Sequence, residues 1–237
     1  MSAAIWHDVE CGSYGADLAL WEELANQVGG PVLDLGCGTG RVSLHLGRRG
    51  HATVGLDTEV DLVLALGERA QGLPVRAVLG DVRGFELDTD IALALGPMQL
   101  IQLLPSRADR LECLGCIAAH LLPGGRIALA IVEDLPAAAA GPPPLPDVRE
   151  IDDWVYSSLP LEVVVEDEEI AIRRLRQTVS PTGVLSDEEN EVRLRRVSAD
   201  ELESEGAKIG LVALGRRQIP ATDLHVGSTV VVLGRGD

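Results

Sequence analysis

Apolar positions recur with two different periods along this 237-residue chain. Short apolar runs, each followed by a glycine or an acidic residue, predict buried strands, and apolar residues three and four positions apart predict helices between them. The two patterns alternate from Val32 to Val132, which predicts an α/β fold with a parallel sheet and right-handed crossovers. The predicted strands are Pro31 to Leu35, Ala52 to Leu56, Pro74 to Leu79, Asp90 to Leu95 and Arg126 to Val132.

Polar residues before the helical segments predict where the helices begin. Asp17 is expected to be an N-cap, and three further starts have a capping-box pattern. These are Thr58-x-x-Asp61, Ser106-x-x-Asp109 and Ser198-x-x-Glu201. Residues 1–15 are polar and are expected to be irregular.

The pattern changes after the fifth strand. Pro136 to Pro146 is rich in alanine and proline, which predicts a linker or lid. The pattern from Trp154 to Val197 is typical of antiparallel strands. Residues 148–197 are therefore expected to form an inserted β lid or substrate subdomain within a single domain, residues 1–237. Six arginines of this segment could clamp an acidic substrate, but cross-strand pairing with nearby glutamates is the favoured interpretation.

Two closing strands, Leu211 to Ile219 and Ser228 to Leu233, have no helix between them. They predict an antiparallel hairpin at one edge of the sheet. The first is expected to run parallel to its neighbours, so that the loop Pro220 to Gly227 opens on the side where α/β sheets bind ligands.

Composition and charge exclude several classes of protein. The net charge of −17 removes the attraction to phosphates that drives nucleic-acid binding and disfavours an anionic membrane surface. No apolar run approaches the ~20 residues of a membrane span, and no signal peptide is recognised, so a cytoplasmic protein is expected. Cys113 and Cys116 lie in a helical pattern without a second ligand pair, which favours two helix thiols over a metal site.

The stretch after the first strand contains the candidate chemistry. Gly36, Gly38 and Gly40 form a turn between a strand and a helix start, a unit that cradles nucleotides. Arg41 stands where a dinucleotide fingerprint needs its third glycine, and no Gly-Lys-Ser/Thr follows. Asp34 before the turn suits a ligand with an ammonium group, because a pyrophosphate would be repelled.

The run Leu33-Asp34-Leu35-Gly36-Cys37-Gly38-Thr39-Gly40 closely resembles motif I of the class I S-adenosylmethionine-dependent methyltransferases. Leu121-Leu122-Pro123-Gly124-Gly125 before the fifth strand is a further similarity. The resemblance implies a Rossmann-like, seven-stranded, mostly parallel sheet with a C-terminal antiparallel hairpin, and S-adenosylmethionine as the cofactor.

A set of cofactor-binding residues follows. Asp57 ends the second strand, where an acidic residue accepts hydrogen bonds from a ribose diol. By resemblance, Tyr14 covers the cofactor, and Asp81 and Val82 meet the adenine through a carboxylate and a backbone N–H. The full expected set is Tyr14, Asp34, Gly36, Cys37, Gly38, Gly40, Asp57, Thr58, Asp81, Val82 and Leu95.

The acceptor is less well specified. Family members that methylate DNA bases or glutamine amides have Asn/Asp-Pro-Pro-Tyr/Phe after the fourth strand, whereas this chain has Leu95-Gly96-Pro97-Met98. His225, supported by Asp223, is the candidate general base. Trp154, Tyr156 and Gln99 are candidate substrate contacts.

The resulting hypothesis is methyl transfer to an N, O or S atom of a small molecule. A protein that keeps the cofactor site without catalysis is the main alternative, and a nicotinamide-dependent oxidoreductase is a weaker one. A homodimer through the β insertion is also expected.

Overall fold

The described part of the chain contains a seven-stranded sheet and a four-stranded sheet. The computed structural model describes residues 3–133, 145–222 and 225–236. Its strands are β1 Val32–Leu35, β2 Thr53–Asp57, β3 Val75–Leu79, β4 Ile91–Gly96, β5 Leu121–Ile131, β6 Asp147–Ile151, β7 Trp154–Val165, β8 Glu169–Val179, β9 Leu185–Arg195, β10 Leu211–Ile219 and β11 Ser228–Arg235. Its helices are α1 Ala3–Cys11, α2 Leu18–Val28, α3 Arg41–Arg48, α4 Val60–Arg69, α5 Arg107–His120 and α6 Ala199–Lys208, with a short 3₁₀ helix at Leu100–Leu103.

The large sheet has the strand order β10-β11-β5-β4-β1-β2-β3. Its pairs from β3 to β5 are parallel, which confirms the predicted α/β sheet. The C-terminal hairpin is also confirmed, because β11 is antiparallel to both β5 and β10. The strand order reverses between β1 and β4, which is where open sheets of this type bind ligands.

The expectation that the sixth strand, β10, runs parallel to its neighbours in the sheet was wrong. The neighbour of β10 in the sheet is β11, and the two run antiparallel. Because β11 is itself antiparallel to β5, β10 nevertheless points in the same direction as β1 to β5. The end of β10 therefore still opens on the ligand-binding side.

The core lies on both faces of the large sheet. Every residue of β1 and of β4 is buried, as expected for strands covered by helices on two sides. Ile117 and Leu202 pack on one face through α5 and α6, whereas Trp21 packs on the other through α2. This rigid centre holds the strand ends from which the candidate site is built.

The insertion is an antiparallel sheet of order β6-β7-β8-β9, so the predicted antiparallel segment is confirmed. It begins earlier than the periodicity indicated, because β6 precedes Trp154. On its outer face Arg173 pairs with Glu162 and Glu189, and Arg193 pairs with Glu169 on the neighbouring strand. Cross-strand ion pairing, the favoured interpretation of these arginines, is therefore what the structure contains.

Three expectations about the helices need correction. Residues 3–11 form α1 instead of an irregular segment. Asp17 makes no capping bond, because its carboxylate accepts from Trp21 Nε1 and binds Arg41. The fourth helix is preceded by Glu59 and has no side-chain cap, so the Thr58 capping box was wrong.

The other two predicted caps are present. Ser106 accepts from the backbone N–H of Asp109, and Ser198 and Glu201 form a complete capping box. The predicted linker, Pro136 to Pro146, falls mostly within 134–144, outside the described residues. In the described parts of the chain, no helix is both long and apolar enough to cross a membrane.

Candidate active site

A cavity of about 570 Å³ opens at the carboxyl ends of the parallel strands. Strand ends at β1, β2 and β4, the turn after β3, and α1 all contribute to its wall. Seven of the residues expected to bind the cofactor lie together on it. They are Asp34, Gly36, Cys37, Asp57, Thr58, Asp81 and Val82.

Asp34 is the most buried charged group of this wall, with 1% of its surface exposed. One carboxylate oxygen accepts from both the backbone N–H and the hydroxyl of Ser43, at 2.9 and 2.6 Å. These bonds connect the end of β1 to the first turn of α3. Burial nevertheless raises the pKa of Asp34 to about 6, because removing a carboxylate from water disfavours its charged form.

The glycine turn fits closely around the cavity. Gly36 has a φ of +60°, and a Cβ there would lie 2.6 Å from Leu100 Cδ1. Gly38 has a φ of +56° and donates its N–H to Asp57 Oδ2 at 2.9 Å. Side chains at these positions would strain the backbone and fill the cradle, which explains the spacing that the sequence shows.

Asp81 follows β3 and is already engaged by a cation. The guanidinium of Arg83 lies 2.6 Å from Asp81 Oδ2 and 2.7 Å from Asp109. Arg83 lowers the pKa of Asp81, through its side chain first and its backbone N–H second. Three N–H groups of Arg83 already bind this carboxylate. Because a carboxylate can accept about four hydrogen bonds, it has room for one further donor from a ligand.

The wall also contains residues outside the expected cofactor-binding set, and two of them reach it from helices. His7 reaches the cavity from α1, and Arg41 reaches it from α3. Arg41 is held by Asp17 through two hydrogen bonds of 2.5 and 2.8 Å. The helical spacing of Trp6 and Val9, which are both buried, is the sequence pattern that could have predicted α1.

Tyr14 lies behind Arg41 and does not line the cavity itself. Its ring is 5.0 Å from the Arg41 guanidinium carbon and 4.7 Å from the centroid of the His225 ring. The backbone N–H of His225 donates to the Thr222 hydroxyl at 3.0 Å. The structure therefore brings His225 to the Tyr14 side of the site, although His225 does not line the cavity. Asp223 lies outside the described residues.

The remaining predicted residues lie away from the cavity wall. Gly38, Gly40 and Leu95 are not among the residues that line the cavity, and the Gln99 amide donates to the Ser228 hydroxyl at 3.1 Å. Tyr156 is buried against Trp6, with ring centroids 5.7 Å apart and the rings perpendicular. Trp154 is 39% exposed at the start of β7.

A second cavity, of about 620 Å³, lies between the first turns of α5 and α6 and the end of β9. Four arginines and four carboxylates of the described segments line this cavity, so their charges balance. Arg110 is buried against Glu205 at 2.7 Å, and Arg196 donates to the carbonyls of Glu166 and Asp167. It therefore has no excess of charge that would select a ligand.

Known proteins share both the sequence pattern and the fold. Residues 32–125 match the family model described as a methyltransferase domain. A cypemycin N-terminal methyltransferase of Streptomyces sp is 32% identical over 114 residues, which is 48% of this chain and 46% of that protein. The match thus spans about half the length of this curated relative.

Solved structures resemble the whole chain. CalS10, an amino pentose methyltransferase of Micromonospora echinaspora solved with S-adenosylmethionine bound, is 17% identical, with 98% of this chain and 97% of that chain covered and a TM-score of 0.74. The sugar N-methyltransferase KedS8 of Streptoalloteichus sp ATCC 53650 is 14% identical, with 98% and 92% covered and a TM-score of 0.75. The match over residues 32–125 identifies a methyltransferase domain in this chain, and the likeness to CalS10 and KedS8 shows that the whole chain has the fold of these methyltransferases.

Proposed function

We propose that this protein transfers a methyl group from S-adenosylmethionine to an amine nitrogen of a small molecule. The observation that carries the proposal is the cavity, in which Asp34, Asp57 and Asp81 end or follow three adjacent strands. The nitrogen acceptor is supported by the relatives, since the names of the cypemycin enzyme and of KedS8 specify N-terminal and N-methylation.

The residues of the cavity fit an adenosyl ligand. Asp57 is the proposed acceptor for the ribose diol, and Asp81 with Val82 is the proposed adenine contact. Asp34 supplies negative charge for the methionine ammonium, while Arg41 supplies positive charge for its carboxylate. The glycine turn leaves the backbone free to approach the ligand closely.

When bound, the cofactor supplies a sulfonium methyl whose C–S bond breaks as the acceptor nitrogen forms its bond to carbon. The chain's contribution is then alignment and exclusion of water, and near-attack positioning can account for several kcal/mol. Pro97 and Met98 after β4 line the cavity with apolar groups. An ammonium acceptor must first lose a proton, and His225 is the proposed base on this rim.

The insertion is the proposed acceptor-side subdomain of a single domain. α1 lies between it and the cavity, since Glu10 binds Arg176 at 2.8 Å and accepts from Ser158 at 2.8 Å. Trp154 at the start of β7 remains a proposed substrate contact. A homodimer through this sheet is a further proposal, which light scattering of the purified protein tests.

The proposal is tested by incubating the purified protein with methyl-labelled cofactor and a panel of amines. The panel contains amino sugars and peptides with a free N-terminus, each paired with the same molecule acetylated on nitrogen. Label transfer to a free amine and not to its acetylated partner is the expected result. Binding of the cofactor without transfer to any member would favour the non-catalytic alternative.

A further inference from the structure

His7 is the one imidazole that lines the cofactor cavity among the described residues. It projects from α1 and rests against Gly38, so that a Cβ at Gly38 would overlap His7 Nε2. The absence of a side chain at Gly38 therefore allows this ring to enter the cavity. The same glycine donates its N–H to Asp57, which puts the ring next to the proposed ribose site.

The neighbours of His7 determine which ring nitrogen carries the proton. The Thr39 hydroxyl donates to Asp8 Oδ1 at 2.6 Å. Asp8 is ionised and accepts only, because Arg69 and Thr39 lower its pKa against the opposing effect of burial. The Thr39 hydroxyl therefore has no second hydrogen to donate to His7. Because the hydroxyl oxygen lies 3.1 Å from His7 Nδ1, it accepts a hydrogen bond from Nδ1–H. The Thr39 backbone N–H also points at Nδ1, but its 3.5 Å distance lies beyond the usual hydrogen-bond range, so the shorter contact with the hydroxyl decides the tautomer.

The other ring nitrogen is consequently a free acceptor. With the proton on Nδ1, the neutral ring has a lone pair on Nε2, and Nε2 makes no hydrogen bond to any residue in the described ranges. Burial is the largest effect on the ring and lowers the pKa of His7. Asp8 and Asp57 oppose this effect, whereas Arg41 and Arg69 add to it, so the ring is neutral at neutral pH.

We propose that His7 Nε2 accepts a hydrogen bond from S-adenosylmethionine, so that α1 contributes a cofactor-binding residue to the site. The inference rests on the proposed function. The donor on the cofactor is a ribose hydroxyl or the methionine ammonium, which both carry the hydrogen that Nε2 lacks. A protonated ring could not accept this bond and would repel the cationic cofactor.

Two substitutions separate this role from simple packing. His7→Gln places an amide oxygen near the position of Nε2 and keeps an acceptor there. His7→Asn places its amide near Nδ1, retaining a donor to Thr39 but no group at Nε2. Calorimetry with S-adenosylhomocysteine should give nearly wild-type affinity for His7→Gln and roughly tenfold weaker binding for His7→Asn. Equal losses in both variants, or no loss in either, would refute the hydrogen bond.

The proton dependence gives a second readout. Because the pKa of His7 is lowered, its ring becomes protonated below pH about 6.5. The affinity of the wild type for S-adenosylmethionine should therefore fall more than that of His7→Gln as the pH is lowered below that value, because Gln does not titrate. Identical profiles would contradict the proposal. Methylthioadenosine, which lacks the amino-acid part, identifies the donor: if it also distinguishes the two variants, the donor is the ribose.

The chain offers a route to the same test when the His7 variants do not fold. Thr39→Ser keeps the hydroxyl that fixes the ring, and Thr39→Val removes it. Weaker binding of S-adenosylhomocysteine by Thr39→Val alone is the expected result, and equal binding by both would overturn the proposal. A wild-type protein that binds neither cofactor nor product would instead refute the proposed function.

Discussion

The carboxylate of Asp57 accepts a hydrogen bond of 2.9 Å from the backbone N–H of Gly38, 19 residues earlier in the chain. The contact ties the glycine turn after β1 to the end of β2. It leaves the second oxygen, Oδ1, bonded to the backbone N–H of Glu59 at 3.1 Å. The same side chain therefore shapes the turn and presents acceptors to the cavity.

Replacing Asp57 with alanine should weaken binding of S-adenosylmethionine by roughly 1–3 kcal/mol, because a ligand hydroxyl loses its buried acceptor. The protein should stay folded, since Asp57 lies at a strand end. Calorimetry and thermal unfolding measure the two effects. Asp61→Ala, an exposed residue of α4, is the control and should bind normally. Unchanged affinity in folded Asp57→Ala would remove the proposed ribose contact.

Asp34→Asn should make the free protein more stable and the cofactor complex weaker. The pKa of Asp34 is raised to about 6, so the folded state binds the proton more tightly than the unfolded state does. Ionised Asp34 therefore opposes folding above that pH. The variant should gain about 1–3 kcal/mol in free energy of unfolding near neutral pH.

The sign of this effect can be checked by titration. As the pH falls from about 6 to about 4, wild-type Asp34 becomes protonated in the folded state, and the advantage of Asp34→Asn should shrink. Urea unfolding of both proteins at several pH values measures the difference. A stability difference independent of pH would show that burial does not perturb this carboxylate.

Tyr14→Phe should bind the cofactor like the wild type, whereas Tyr14→Ala should bind it several-fold more weakly. The aromatic ring lies between the Arg41 guanidinium and the His225 ring, and a cation–π contact contributes about 0.5–2 kcal/mol. Both variants keep the backbone oxygen that accepts from Arg41. Equal affinities for Phe and Ala would mean that the ring does not position Arg41.

Glu10→Gln should destabilise the protein, because the half-buried Arg176 would lose its charged partner between α1 and β8. The expected loss is roughly 1–3 kcal/mol, between the values for exposed and buried ion pairs. Glu191→Gln breaks a comparable pair on the exposed face and should cost less than about 0.5 kcal/mol. Urea unfolding measures both, and similar losses would contradict the proposed role of α1 as a connector.

The sequence predicted the parallel sheet well because its signals are local. Each central strand is a short apolar run, and each N-terminal cap at α5 and α6 closes within four residues. Asp17 and Asp57 behave differently, because their partners come from distant segments. Asp17 binds Arg41 across 24 positions instead of capping α2, which no local pattern indicates.

The site was predicted in part for the same reason. Residues of the glycine turn and the strand ends follow a linear motif, and seven of them do line one cavity. His7 lies there because α1 docks through contacts such as Trp6 with Tyr156, 150 residues apart in the sequence. Acceptor recognition depends on such long-range packing, so the motif indicates the cofactor better than it indicates the substrate.

The central claim is that the cavity at the ends of β1, β2 and β4 is built for S-adenosylmethionine. Calorimetry of the purified protein with S-adenosylmethionine, S-adenosylhomocysteine and NAD tests it most directly. We predict saturable binding of the first two, weakened by Asp57→Ala, and no binding of NAD. Binding of NAD without binding of S-adenosylmethionine or its product would contradict the account.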